Sequence, residues 1–462
     1  MRPTQWRPST HLMMGVGVLA IVAAVVAATA LFTASGRGAS GVQTPPPPPA
    51  VSAKPGIVPV AATAPIPTNS ALATTLAAPA ADPNLGRLGG RVTDAMTGKE
   101  LWQLQDDVSL QPASTNKTLT TAAALLALDR EARVTTRVVA ADQPGTIVLV
   151  GGGDPTLSAA PPGQDTWYHG AARISDLADQ VRRSGVTPTA VQVDTSLFSG
   201  PTMAPGWDPA DIEGGDIAPI ESVMLDAGRI QPATDESRRS LTPALDAGHA
   251  LASALGVDPR NVTISAHPAP SSARQLAAVQ SAPLIDRLYE MMNVSDNVMA
   301  ECIGREVAAS MHRSLSFGGA VDAVTNRLNT AHIETGGAAL QDSSGLSVYD
   351  RLSAKTLDSV VQAAAGPDQP ALRPLLDVLP IAGGSGTLSD RFLDATFHAA
   401  GPAGWLRAKT GSLTAINALA GVVTDRSGRV LTFALISNDA GPMGRTAIDA
   451  LAATIWSCGC VA

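Results

Sequence analysis

At 462 residues the chain has room for two to four domains of about 100–200 residues each. With 45% hydrophobic and 16% charged residues it can bury a sizeable core, which excludes a mainly disordered protein. A net charge of −8 and a pI near 5.4 exclude the basic footprint of a nucleic-acid binder. Three cysteines make no disulfide scaffold and fit no zinc-ligand spacing. Lysine is rare: Lys54, Lys99, Lys117, Lys355 and Lys409 are the five among 32 basic residues.

Residues 12–32 form an apolar run broken only by Gly15, Gly17 and Thr29, behind Arg2 and Arg7. The run is long enough to cross a hydrocarbon core of about 30 Å as a helix, with its basic flank inside. It reads either as a retained membrane anchor or as a cleaved signal peptide with Ala28-Thr29-Ala30 as the small-x-small site. Both readings export the remainder of the chain to the periplasmic or cell-envelope side. Residues 35–85 are rich in Pro, Ala, Thr and Ser and include Pro45 to Pro49, which predicts an extended spacer.

Order is expected from about Gly86. Residues 88–102 carry a hairpin pattern with a Gly-containing turn. Thr118 to Leu128 is Ala/Leu-rich and helical. Residues 146–150, 190–194 and 430–436 read as strands; 174–183, 243–255, 284–310 and 445–456 read as helical. The pattern is mixed α/β with a late antiparallel sheet.

Three short motifs carry chemistry. Ser114-Thr115-Asn116-Lys117 opens the Ala/Leu helix, and residues i and i+3 share a helix face. A buried lysine there loses solvation of its charged form and becomes a base for Ser114 as a nucleophile. Ser295-Asp296-Asn297 offers a proton relay through Ser295 and an amide anchor through Asn297. Lys409-Thr410-Gly411-Ser412 precedes apolar strands; its lysine and hydroxyls suit a carboxylate, and the Ser412 N–H suits an oxyanion hole. Gly411 lets an edge strand approach a ligand backbone. Taken singly, each motif is also what a capped helix, a polar helix face or a glycine turn with a surface lysine looks like.

In this order the three motifs resemble the penicillin-binding proteins and class A β-lactamases. Ser114 and Ser295 stand 181 positions apart, too far for a class A β-lactamase and suited to an inserted domain. Gly151-Gly-Gly-Asp-Pro-Thr-Leu157, Asp194 to Pro201, Ala218 to Met224, Asp342-Ser-Ser-Gly-Leu-Ser347 and Ile381 to Leu388 are similar to the class C penicillin-binding proteins, the D-alanyl-D-alanine carboxypeptidase/endopeptidase group (peptidase family S13). The resemblance implies an α/β transpeptidase-like fold, a mainly antiparallel sheet flanked by helices, assembled from 86–135 and 276–462 with an inserted α/β domain at 136–275. It implies a serine peptidase cleaving D-Ala-D-Ala bonds of peptidoglycan stem peptides, with cross-links as further substrates, and covalent binding of β-lactams. Ser114, Lys117 and Ser295 would be catalytic; Asn297, Ser344, Lys409, Thr410, Gly411 and Ser412 would bind substrate. No metal or organic cofactor is expected, and the membrane is a partner through 1–34. Val348 stands where relatives often carry a basic residue, so an amidated side chain on the substrate is expected to serve as well as a free acid.

Other readings are weaker. The histidines lie in no Gly-x-Ser-x-Gly context, His-Glu-x-x-His is absent, and no Gly-Lys-Ser/Thr follows Gly151-Gly-Gly-Asp154. A penicillin-reactive cell-wall scaffold with little turnover is the non-enzyme alternative. Cys302 is expected to be buried and inert, and Cys458 and Cys460 are spaced too closely for an easy disulfide.

Overall fold

The computed structural model describes residues 63–232, 234, 237–393 and 401–459, all within one unit, 59–462. The expected membrane or signal segment and most of the spacer lie outside the described residues; among the described residues no helix is long and apolar enough to cross a membrane. The spacer ends earlier than its composition suggests. Helix α1 (Asn69–Ala80) starts on a Thr68 cap and buries Leu72 and Leu76, four residues apart on one face. An Ala-rich run has high helix propensity whatever its flanking prolines do, and here it has a surface to pack on.

The hairpin β1 (Arg87–Asp94) and β2 (Glu100–Leu104) follows, and then α2 (Lys117–Ala127). A second block holds β3 (Thr135–Ala140), β4 (Thr146–Val150), α3 (Ile174–Arg183), β5 (Ala190–Asp194), the short α4 (Ala210–Gly214), α5 (Pro243–Leu255), β6 (Val262–Ile264) and β7 (Gln275–Gln280). The chain then returns through α6 (Leu284–Val294), α7 (Asn297–Ser310), α8 (Phe317–Thr330), α9 (Ala354–Ala365) and α10 (Pro374–Val378). It ends in β8 (Leu406–Leu413), β9 (Ile416–Thr424), β10 (Val430–Asn438) and α11 (Gly444–Ser457).

The strands make two sheets. The first, in order β2-β1-β10-β9-β8, is antiparallel throughout, and β8 is its free edge. Alternation along β10 serves two cores. Leu431, Phe433 and Leu435 face a cluster with α1 and α11, while Ala434 and Ile436 face the helical cluster built from α2 and α6 to α9. The second sheet, β6-β5-β4-β3-β7, is mixed, with β4–β5–β6 parallel, and has its own core with α3 and α5. Its last strand runs to Gln280, beyond the expected boundary at 275, because β7 closes this sheet by pairing with β3. Gly151 and Gly152 sit where a Cβ would lie 2.5 Å from the Ser222 carbonyl oxygen and 2.0 Å from that of Thr135, so this loop is a structural turn.

Cys302 is a buried free thiol, as expected. Cys458 is disulfide-bonded, against the expectation from the Cys-x-Cys spacing.

Candidate active site

Ser114 lies in a 3₁₀ turn, Ala113–Asn116, that runs directly into α2. The turn is gripped by backbone. A Cβ on Gly411 would sit 2.7 Å from the Pro112 carbonyl oxygen and 3.1 Å from the Ala113 Cβ; one on Gly345, at φ +82°, would sit 1.9 Å from the Ala113 carbonyl oxygen. Gly411 therefore lets its strand approach the Ala113–Asn116 turn, not only a ligand.

Lys117 is fully buried at the first position of α2. Its Nζ donates to Ser114 Oγ (2.9 Å), Asn297 Oδ1 (2.6 Å) and the Ser344 carbonyl (2.9 Å). Burial brings its pKa down to about 8, held from falling further by Asp342, Asp296, Glu301 and Asp350. The second motif sits in a break rather than on a continuous helix. Ser295 adopts a left-handed conformation (φ 62°) that ends α6, and Asp296 caps α7 through Met299 N–H (2.9 Å). This break turns Ser295 toward Lys409, whose Nζ donates to Ser295 Oγ (2.9 Å) and to the Thr410 carbonyl (3.0 Å). Burial, then the charges of Lys117 and Arg391, push the Lys409 pKa well below the usual lysine value.

The free edge of β8 explains the third motif. Ala408 N–H donates outward to the Pro380 carbonyl (3.0 Å), and the Leu406 carbonyl accepts from Ala382 N–H (3.0 Å). Even-numbered residues thus turn their backbone groups away from β9, and Thr410 and Ser412 share that parity. Ser114, Ser295, Asn297, Thr410 and Ser412 all line one cavity of about 610 Å³. Among the described residues, no histidine or cysteine lines it. Ser344 is not in the wall: it is fully buried, and its carbonyl serves Lys117 instead. It belongs to a loop knotted around Asp342, whose carboxylate accepts from the N–H groups of Ser344 (3.0 Å), Gly345 (2.6 Å) and Ser347 (2.8 Å) and from Trp207 Nε1 (2.7 Å).

The sequence profile of the D-Ala-D-Ala carboxypeptidase 3 (S13) family matches residues 72–239 and 232–455. The chain belongs to this family. A further profile, the N-terminal domain of Carboxypeptidase Rv3627c-like proteins, matches residues 1–59. The S13 chain is 71% identical to Carboxypeptidase Rv3627c of Mycobacterium tuberculosis and 67% identical to Carboxypeptidase DacB of Mycolicibacterium smegmatis, each over 100% of both chains. In fold it is similar to the crystal structure of penicillin binding protein 4 (dacB) from Haemophilus influenzae, at 22% identity and a TM-score of 0.67, covering 83% of this chain and 98% of that one. The resemblance drawn from the motifs is thereby established, and the protein is a serine-type carboxypeptidase.

Four parts of the S13 site escaped the sequence reading. Asp211 and Asp216 line the cavity near Asn297, whose Nδ2 donates to the Asp216 carbonyl (2.9 Å). Thr387 Oγ1 accepts from Thr410 Oγ1 (2.8 Å). Tyr168, from the second block, donates to Asp296 (2.5 Å) and so fixes the middle of the second motif. Glu301 accepts from Ser343 N–H (2.9 Å) beneath the Asp342 loop; burial, then Asp342, push its pKa up to about 7. Only Thr387 lay in a segment singled out by resemblance; the others have no local signature, since their roles come from distant segments meeting.

Proposed function

We propose that this carboxypeptidase hydrolyses the D-Ala-D-Ala bond of peptidoglycan stem peptides, and the matching D-Ala cross-link, through an acyl-enzyme on Ser114. The observation that carries the reading is the 2.9 Å contact between Ser114 Oγ and a lysine whose pKa has fallen to about 8. At pH 7 about a tenth of such lysines are uncharged, enough to supply a base. Ser114 Oγ attacks the scissile carbonyl carbon and its proton passes to Lys117 Nζ. The oxyanion is held by the N–H groups of Ser114 and Ser412, the latter on the free edge of β8. As the C–N bond breaks, Ser295 gives its proton to the departing amine and regains one from the lysine pair. Water then attacks the ester, its proton returns through Lys117 to Ser114 Oγ, and the shortened peptide leaves as a carboxylate. Asn297 anchors the acyl-side amide. A β-lactam enters the same first step, and its opened ring stays on Ser114. Segment 136–275 acts as the insert that carries Asp211 to the cavity and Tyr168 to Asp296, and residues 1–34 place the enzyme at the outer face of a membrane.

The test is turnover of a defined D-Ala-D-Ala peptide together with covalent labelling by a fluorescent penicillin. Wild-type protein should release D-alanine and take up the label. Ser114→Ala should do neither while folding normally, and a stable adduct on that variant would refute the assignment.

A further inference from the structure

The cavity wall carries both acidic and basic side chains. Asp216 stands beside Asn297, and the wall also includes Asp211, Asp390, Arg391 and Arg445 together with Thr410, Ser412 and Thr414 of the β8 edge and its following turn. The proposed reading puts the departing D-amino acid along that edge, with a carboxylate one carbon from the scissile nitrogen. A carboxylate in a partly enclosed site calls for a cation. Lys409 does not offer one. It is fully buried, with its Nζ committed to Ser295 Oγ and the Thr410 carbonyl. Arg391 is bound to Asp449 through Nε (3.1 Å) and a second guanidinium contact.

Arg445 is different. It is exposed at the wall and forms no hydrogen bond or ion pair with the described residues. It occupies the first turn of α11, which carries no acidic residue, where the helix macrodipole disfavours a cation. The charge of Asp449, four residues on, favours the cation, but that carboxylate is already paired with Arg391, so Arg445 keeps its hydrogen-bonding capacity for a ligand. Its placement is tied to the β8 edge: a Cβ on the preceding Gly444 would lie 2.6 Å from Asn417 Nδ2, and Asn417 is the cross-strand partner of Ser412. The first N–H groups of α11 and the guanidinium thus add positive potential beside Ser412. Asp390 is exposed on the same rim and Asp449 is neutralised by Arg391.

We propose that Arg445 binds the carboxylate of the leaving D-amino acid, so that this part of the cavity wall is an anion subsite on the leaving-group side of Ser114. The proposal rests on the function proposed above and deepens it, replacing Lys409 as the source of positive charge for that carboxylate. Ser412 supplies a hydroxyl donor beside it, while the Thr410 hydroxyl donates to Thr387.

The test uses the full chain carrying Ser114→Ala, which binds without turnover, and two matched acyl peptides, one ending in D-Ala-D-Ala and one in D-Ala-D-alaninamide. Calorimetry at low ionic strength should give about tenfold tighter binding of the acid, a preference that shrinks in high salt. Adding Arg445→Gln should abolish the preference and leave the affinity for the amide unchanged; Arg445→Lys, which keeps the charge, should retain part of it. Equal binding of acid and amide by the Ser114→Ala chain, or a preference that survives Arg445→Gln, overturns the proposal. Turnover of the acid peptide by wild-type protein is measured beside these: its absence strikes the function, whereas a misplaced acid preference strikes only the subsite.

Discussion

Two serine–lysine pairs meet in the cavity with the same Nζ–Oγ distance, 2.9 Å, and opposite electrical surroundings. Lys117 is fully buried but has Asp342, Asp296, Glu301 and Asp350 around it, so its pKa stops near 8. Lys409 is equally buried, and the charges that act on it most are the cations Lys117 and Arg391, so it loses its proton far more readily. Hydrogen-bond geometry does not distinguish a base from a relay here; the ring of carboxylates does. Lys117 keeps a proton affinity near working pH, where a base is most effective, while Lys409, its pKa pushed well down, is the hydrogen-bond partner of Ser295.

The sharpest way to break this contrast is to remove each amine. Lys117→Ala should slow penicillin acylation by about three orders of magnitude or more, because nucleophile and base act as a unit. Lys117→Arg should not rescue it, since a guanidinium does not give up its proton. Lys409→Met should slow turnover by about a hundredfold, in the range of a lost proton relay, and the rise of kcat/KM with pH around 8 should persist in it. Loss of that inflection in Lys409→Met would exchange the two roles.

Stability separates the pairs next. The folded pKa of Lys117 lies below its unfolded value of 10.5, so the folded state bears the full cost of burying the charge below about pH 8. Between about 8 and 10.5 the unfolded chain binds more protons, and stability rises with pH over that window. Lys409→Met removes a buried amine whose main electrostatic neighbours are cations and should stabilise the protein by on the order of 1–2 kcal/mol at neutral pH. Lys117→Met leaves its carboxylates uncompensated and should destabilise by a similar amount; thermal melts of the two variants give the comparison.

A finer test acts on the ring. Glu301→Gln deletes one carboxylate that favours the Lys117 ammonium, so the inflection in kcat/KM should move to lower pH, by about half a unit to one unit. An unmoved profile would mean Glu301 only supports the Asp342 loop. Val348 should matter less. It is 48% exposed, outside the cavity wall, and beside Arg351, which donates to its carbonyl (3.0 Å). Val348→Arg should raise kcat/KM for a substrate with a free side-chain carboxylate by only a few fold over its amide. Smallest of all, Cys302→Ala should leave the acylation rate unchanged, since burial pushes that thiol far above its usual pKa and it lies outside the cavity.

The residues are legible in the sequence where their relations are local. Ser114 with Lys117, and Lys409 with Ser412, are spaced so that one turn or one strand fixes their relation, and helices 174–183 and 243–255 are legible to the residue from their periodicity and ends. The break at Ser295 is not, because a left-handed serine between two helical patterns leaves no compositional mark. Helix α1 is hidden for a related reason: composition groups its alanines with the prolines before them, and the packing on α11 that makes it a helix is tertiary. The carboxylates that tune Lys117 come from 296, 301, 342 and 350, and no spacing rule links them.

The grip of Gly345 and Gly411 on the Ala113 turn has an evolutionary consequence. Bonds can be traded for other bonds, but a methyl group 1.9 Å from a carbonyl oxygen admits no compromise, so the position of the nucleophile is closed to gradual adjustment. Under the proposed function, variants that separate β-lactam acylation from peptide processing are therefore expected at the rim, on Asp390, Thr414 or Arg445, where side chains end in solvent. Drift between the two activities would then be written in the charge of the rim, with the turn beneath it left unchanged.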